Sequence, residues 1–279
     1  MISKHHDNVI AIGALGGSGT RAVAQLLIDA GIYMGDPLNF ANDNTFFTAC
    51  FMNPDWQSTA SAEGIAQRME IFEEYMRQRN ISKTELDELE RLPYSTTYQY
   101  PPDLFPTLRK QSALKNPLTT WGWKEPNTHI YLEQFANYFP KLKYIHVLRH
   151  GLDMTFARNK KQLFNWGHLF GIDTNHDEGP EEISRKQLDY WLRSTNKVLE
   201  TGNQLLGDRF YVLRYEEVCL SPEREIPLLL NFLGLDPKMA TGLKDVFQLS
   251  EGSGRYKEHD LSIFSSEQLR AVEEMGFEI

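Results

Sequence analysis

The sequence predicts an α/β fold in three layers, a central parallel sheet with helices on both faces. Three observations predict it. Short apolar runs recur at 9–12 (VIAI), 121–124 (WGWK), 143–148 (KYIHVL) and 210–213 (FYVL). Helically spaced apolar residues follow them, as the crossovers between parallel strands require. The chain of 279 residues, 41% of them hydrophobic, can bury a large core, and no internal repeat or low-complexity linker divides it. One domain spanning 1–279 is expected, with a mainly helical insertion at about 48–115.

Taken in order, 9–12 ends in glycines and the spacing turns helical after Thr20, at Ala22, Val23, Leu26, Leu27 and Ala30. Gly31 closes that helix and Gly35-Asp36-Pro37 makes a turn. Two helices are expected at 61–80 and 82–92, the second opened by a capping box of Ser82 and Glu85. The stretch 94–106 (YSTTYQYPPDLFP) reads as a proline-broken loop. The insertion either covers a pocket mouth or packs as an outer helical layer.

The second run, 121–124, precedes a helix at about 128–139 that Pro140 stops. After the third run a helix is expected at about 152–162, and a long one follows Pro180-Glu181-Glu182, where proline and acids suit a first turn. Its apolar stripe of Leu188, Trp191, Leu192, Thr195 and Val198 keeps to one face. After the fourth run Ser221 caps, Pro222 starts and Gly234 ends a further helix.

The net charge of −9 argues against broad nucleic-acid binding and against an anionic membrane surface, so an anionic ligand must be held by local charge. Cys50 and Cys219 form no disulfide framework and no metal spacing, which favours a reducing, cytoplasmic setting. The N-terminal apolar run falls far short of the roughly 20 residues of a spanning helix, so no membrane insertion is expected.

In parallel α/β sheets ligands bind at the carboxyl ends of the strands. Four stretches fall there: the loop 13–19 with Arg21, Lys124-Glu125, Arg149, and Arg214-Tyr215. The loop has few side chains, so its N–H groups are free to converge on an anion at the positive end of the next helix. It departs from the triphosphate loop, because Ser18 and Gly19 stand where G-x-x-x-x-G-K-[ST] needs Gly and Lys.

With these residues in place, the chain resembles the sulfotransferases that use 3′-phosphoadenosine-5′-phosphosulfate (PAPS). Gly16-Gly17-Ser18-Gly19-Thr20-Arg21 resembles their 5′-phosphosulfate loop, most of all that of the heparan-sulfotransferase type and of bacterial sulfotransferase family proteins. The segment 143–153 (KYIHVLRHGLD) is similar to the strand and turn that carry the 3′-phosphate arginine, here Arg149. The segment 213–235 resembles the late strand, Tyr-Glu turn and helix, which implies a place near the adenine for Tyr215. Ser253-Gly254-Arg255-Tyr256 is similar to the loop that closes on the nucleotide, and implies that Arg255 also meets the 3′-phosphate. Two departures stand out: Gly17 replaces a basic loop residue, and Ala157 replaces a serine eight residues after the arginine.

The resemblance implies a P-loop NTPase-like fold, PAPS as co-substrate with the desulfated nucleotide PAP as product, no metal, and transfer to a hydroxyl or amine. In-line attack on sulfur needs cations on the leaving side and a base opposite. Arg21 and Lys124 are the candidate cations. Asp43-Asn44-Thr45-Phe46-Phe47 resembles the segment that carries the base in heparan-type enzymes, which makes Asp43 the first candidate, ahead of Glu125 and His129. The acidic chain suits a small-molecule, sugar or lipid acceptor better than a polyanionic glycan. Phe40, Phe46, Phe47, Trp56 and Tyr98 either line its pocket or pack as core. The alternatives are an inactive nucleotide-binding module of this fold and a P-loop small-molecule kinase.

Overall fold

A computed structural model describes residues 1–91, 101–242 and 246–279. Tyr98, Leu92 and the loop residues from 94 to 100 lie outside the described residues. Four strands, β1 (Asn8–Ala14), β2 (Thr120–Lys124), β3 (Leu142–Leu148) and β4 (Phe210–Arg214), form one parallel sheet in the order β2-β1-β3-β4. Between β1 and β2 lie α1 (Thr20–Asp29), α2 (Thr45–Phe51), α3 (Pro54–Thr59), α4 (Ala62–Gln78), α5 (Lys83–Glu90) and α6 (Leu104–Leu108). Then α7 (Leu132–Tyr138) precedes β3, and α8 (Gly151–Thr155), α9 (Lys161–Trp166) and α10 (Pro180–Leu205) lead to β4. The chain ends with α11 (Tyr215–Leu220), α12 (Pro222–Leu233) and α13 (Ser266–Glu274).

Because strand side chains alternate, β1 serves two cores. Val9 and Ala11 join Trp121, Trp123, Tyr144 and the helices α2, α4, α7 and α10. Ile10, Ile12 and Ala14 join Ile145, Val147, Leu213 and the helices α1 and α12. Both faces of the sheet are covered, and the three predicted layers are present.

Several elements differ from expectation, each for a local reason. The helix expected at about 152–162 is two, α8 and α9, broken over 156–160. There Asn159 Oδ1 accepts the Lys161 N–H at 3.0 Å and Lys160 Nζ donates to the Thr155 carbonyl, local bonds that compete with the helical ladder. The helix expected at 128–139 starts as a 3₁₀ turn, Pro126–Tyr131, before α7. Ser82 makes the capping box with Glu85, but Ser221 precedes α12 with no side-chain bond and leaves the start to Pro222.

Candidate functional site

Strand register brings the carboxyl ends together: Ile12 lies beside Lys124, Ala14 beside Val147 and Leu148 beside Arg214. The loop after β1, Lys124-Glu125, Arg149 and Tyr215 therefore share one edge of the sheet.

The loop is shaped by close approach. A side chain at Gly13 would begin 2.2 Å from Tyr144 Oη, and one at Gly19 would begin 2.3 Å from the Tyr215 ring. Gly17 and Gly19 take left-handed conformations, φ +91° and +86°, that suit glycine. Ser18 is buried and turns its hydroxyl onto the Leu15 carbonyl at 2.6 Å, so it braces the loop from within. The Gly16 N–H donates to Gln162 Oε1 at 2.6 Å. The N–H groups of Gly17 and Gly19 meet no acceptor among the described residues, at the N-terminal end of α1, where the helix favours an anion. Thr20 is buried as the first residue of α1, while Arg21 is exposed and has no ion pair among the described residues.

Arg149 lies at the centre of this edge, against the loop after β1. It is 7% exposed, and its Nη1 donates to the Gly17 carbonyl at 2.8 Å, its Nη2 to Ser250 Oγ at 2.7 Å and Ser253 Oγ at 3.4 Å. Its guanidinium carbon lies 4.9 Å from the centre of the Tyr215 ring, a cation–π contact. Trp191 on α10 fixes its backbone, donating Nε1 to the Arg149 carbonyl at 3.1 Å while packing on Gly151. The Arg149 Nε is buried without a partner, an unsatisfied charged donor that an anionic oxygen would satisfy. Tyr215 spans the gap from the Gly19 side to the C-terminal segment, donating to the Gln248 carbonyl and accepting the Ser250 N–H, both at 2.9 Å.

Asp153 on α8 draws that segment in, accepting the N–H groups of Gly254 at 2.7 Å and Tyr256 at 3.2 Å. Arg255 thus stands at the site edge, half-buried, its Nε donating to the Gly252 carbonyl at 3.0 Å. Beside it, burial and the Arg255 charge pull Lys160 down to about 8. The sequence motifs do not include Lys160, Ser250, Asn127 or Gln162; polar residues in irregular stretches leave no periodic signal.

On the other side, Lys124 is 3% exposed at its side chain and pairs with Asp43, 19% exposed. Lys124 Nζ also donates to the Ala41 carbonyl at 2.9 Å. Asn39 shapes the turn, accepting the N–H groups of Ala41 and Asp43 and donating to Asp43 Oδ2 at 2.8 Å. Glu125 is buried, with both oxygens engaged by Asn127; burial first, and then the Asp43 charge, push it up to about 8. His129 is buried between the Pro126 carbonyl and Tyr190 Oη, and burial pulls it down to about 4. Both of its nitrogens have partners, as suits a packing histidine.

Of the pocket aromatics, Phe46 and Phe47 are fully buried core residues stacked among Phe72, Tyr75 and Phe51. Trp56 lies under the Arg68 guanidinium, whereas Phe40 is 87% exposed beside Ala41. Among the described residues no group of His, Cys, Asp or Glu is arranged to hold a metal ion, and no helix is long and apolar enough to cross a membrane.

In overall structure the chain is similar to the sulfotransferase domain of the Synechococcus PCC 7002 olefin synthase, at 14% identity, a TM-score of 0.50, and coverage of 100% of this chain and 99% of that one. It is similar also to the sulfotransferase domain of the curacin biosynthetic pathway, at 17% identity, a TM-score of 0.50, and coverage of 99% and 100%. At such identity the likeness shows the fold. No curated protein matches in sequence. The model of the sulfotransferase family, however, matches residues 10–238, which include the loop, Asp43, Lys124, Arg149 and Tyr215. The chain belongs to the sulfotransferase family.

Proposed function

We propose that the protein transfers the sulfuryl group of PAPS to a hydroxyl or amine of a small-molecule, sugar or lipid acceptor. The observation that carries this reading is Arg149, a buried cation stretched between the loop and the C-terminal segment, with one charged donor still unpaired and its face on Tyr215. Arg149, Arg255 and Lys160 would hold the 3′-phosphate, Tyr215 would lie against the adenine, and the N–H groups of Gly17, Gly19 and Thr20 would hold the 5′-phosphosulfate. The Ser250 and Ser253 hydroxyls, both within reach of Arg149 Nη2, would stand in for the serine that Ala157 replaces.

The donor supplies an activated S–O bond, whose electron pair leaves with PAP as the acceptor's bond to sulfur forms. Asp43, the more exposed member of its ion pair, takes the acceptor's proton, and Lys124 orients its carboxylate. Arg21, exposed at the first turn of α1, is free to move toward the leaving side in place of the loop cation that Gly17 lacks. No step requires a metal.

Calorimetric titration with PAP tests the reading. The wild type should bind, and Arg149→Ala should weaken binding by at least about ten-fold, the scale of one charged hydrogen bond. Absence of PAP binding by the wild type would overturn it. Binding by a wild type that turns over no acceptor would favour the inactive module.

A further inference from the structure

Two amides join the strand end at Glu125 to the loop at Gly16. The Glu125 side chain accepts the Asn127 backbone N–H at 2.5 Å and Asn127 Nδ2 at 3.0 Å, one at each oxygen. Asn127 Oδ1 accepts from Trp166 Nε1 at 2.9 Å and from Gln162 Nε2 at 2.8 Å. Gln162 Oε1 accepts the Gly16 N–H at 2.6 Å. Neither amide can be reversed. An indole N–H only donates, so the Asn127 atom facing Trp166 is oxygen and its nitrogen faces Glu125; the Gln162 atom facing Asn127 is then nitrogen, and its oxygen faces Gly16. The series runs in one direction and ends on the Glu125 carboxyl group.

A loop of Gly16, Gly17 and Gly19 with two left-handed residues has little stiffness of its own, so its shape depends on outside anchors. Arg149 anchors it at the Gly17 carbonyl, and Gln162 at the Gly16 N–H. Resting on the reading above, we infer that Gln162, Asn127 and Glu125 are positioning residues for donor binding: they hold Gly16 so that the remaining loop N–H groups converge on the phosphosulfate. Glu125, 6% exposed and with both oxygens engaged, acts through the loop and takes no proton from the acceptor.

The test is PAP titration of the purified chain with melting temperature measured in parallel. Gln162→Leu, at a half-exposed position on α9, should keep its melting temperature and lose about ten-fold in PAP affinity, with the donor KM raised and the acceptor KM unchanged. Asn127→Asp keeps an acceptor for Trp166 and Gln162 but removes the amide that donates to Glu125 and places a charge beside it, and should also weaken PAP binding. Adding Glu125→Gln reverses the polarity of that contact, since the side chain at 125 then donates, and should return affinity to the wild-type range. The inference is overturned if Gln162→Leu binds PAP as the wild type does, or if the double variant is no better than Asn127→Asp. It is overturned also if Glu125→Gln alone abolishes turnover with PAP affinity intact. Absence of binding by the wild type sinks the functional reading instead.

Discussion

Asp43 and Lys124 divide their work by exposure. The lysine is held in the protein by two acceptors, whereas the carboxylate reaches the surface. Asp43→Asn keeps an oxygen for the lysine and removes the proposed base, so kcat should fall by about 10²–10⁴-fold while calorimetry shows PAP affinity unchanged. Gly19 carries a constraint of a different kind. With φ +86° and Tyr215 only 2.3 Å from a first side-chain carbon, Gly19→Ala must displace the ring or the loop. It should cost about 1–3 kcal/mol in urea unfolding, the scale of local backbone strain, and abolish detectable PAP binding. The shared placement of Lys124, Arg149 and Tyr215 was legible because each stands at or just past the carboxyl end of a strand, and strand ends are readable from apolar runs. The partners Gln162 and Ser250 were not, since a bond from Gly16 to a residue 146 positions away leaves no mark on local sequence.

Among the elements, α8 is short yet ties distant segments together. Its five residues cannot sustain a helix alone, yet Asp153 accepts two N–H groups from the C-terminal segment, and His150 stacks on Tyr256. In Asp153→Asn an amide nitrogen must face one of those N–H groups, which leaves a buried donor unpaired at a cost of about 1–3 kcal/mol. Limited proteolysis should then cut within 246–260 faster than in the wild type, and PAP binding should weaken in step. The strands, α1, α4, α10 and α12 followed from periodicity and punctuation. The break between α8 and α9 did not, because Leu152, Phe156 and Leu163 keep helical spacing across it while Asn159 and Lys160 redirect the backbone with their side chains.

For the whole molecule, three buried groups set opposed responses to pH. Burial holds His129 down at about 4 and His146 at about 3, against an ordinary value of 6.5, so the unfolded chain binds more protons below 6.5 and stability is lost as pH falls through that window. Glu125 is raised from 4.5 to about 8, so the folded chain binds the extra proton between those values and stability falls as pH rises. Between 4.5 and 6.5 two histidines oppose one glutamate; above 6.5 the glutamate acts alone. Melting temperature should therefore peak near pH 6.5, and Glu125→Gln should remove the decline toward pH 8. A monotonic rise across this range would refute the assignment.

Arg149 touches Gly17, 132 residues before it, and Ser250, 101 residues after it. The loop at Gly17 is synthesised long before Ser250, which meets the same arginine. A ribosome that has delivered the whole sheet still presents a half-built site, so under the proposed function nucleotide would not assist the early steps of folding. It would stabilise only the finished molecule, where its binding free energy would add directly to that of the fold.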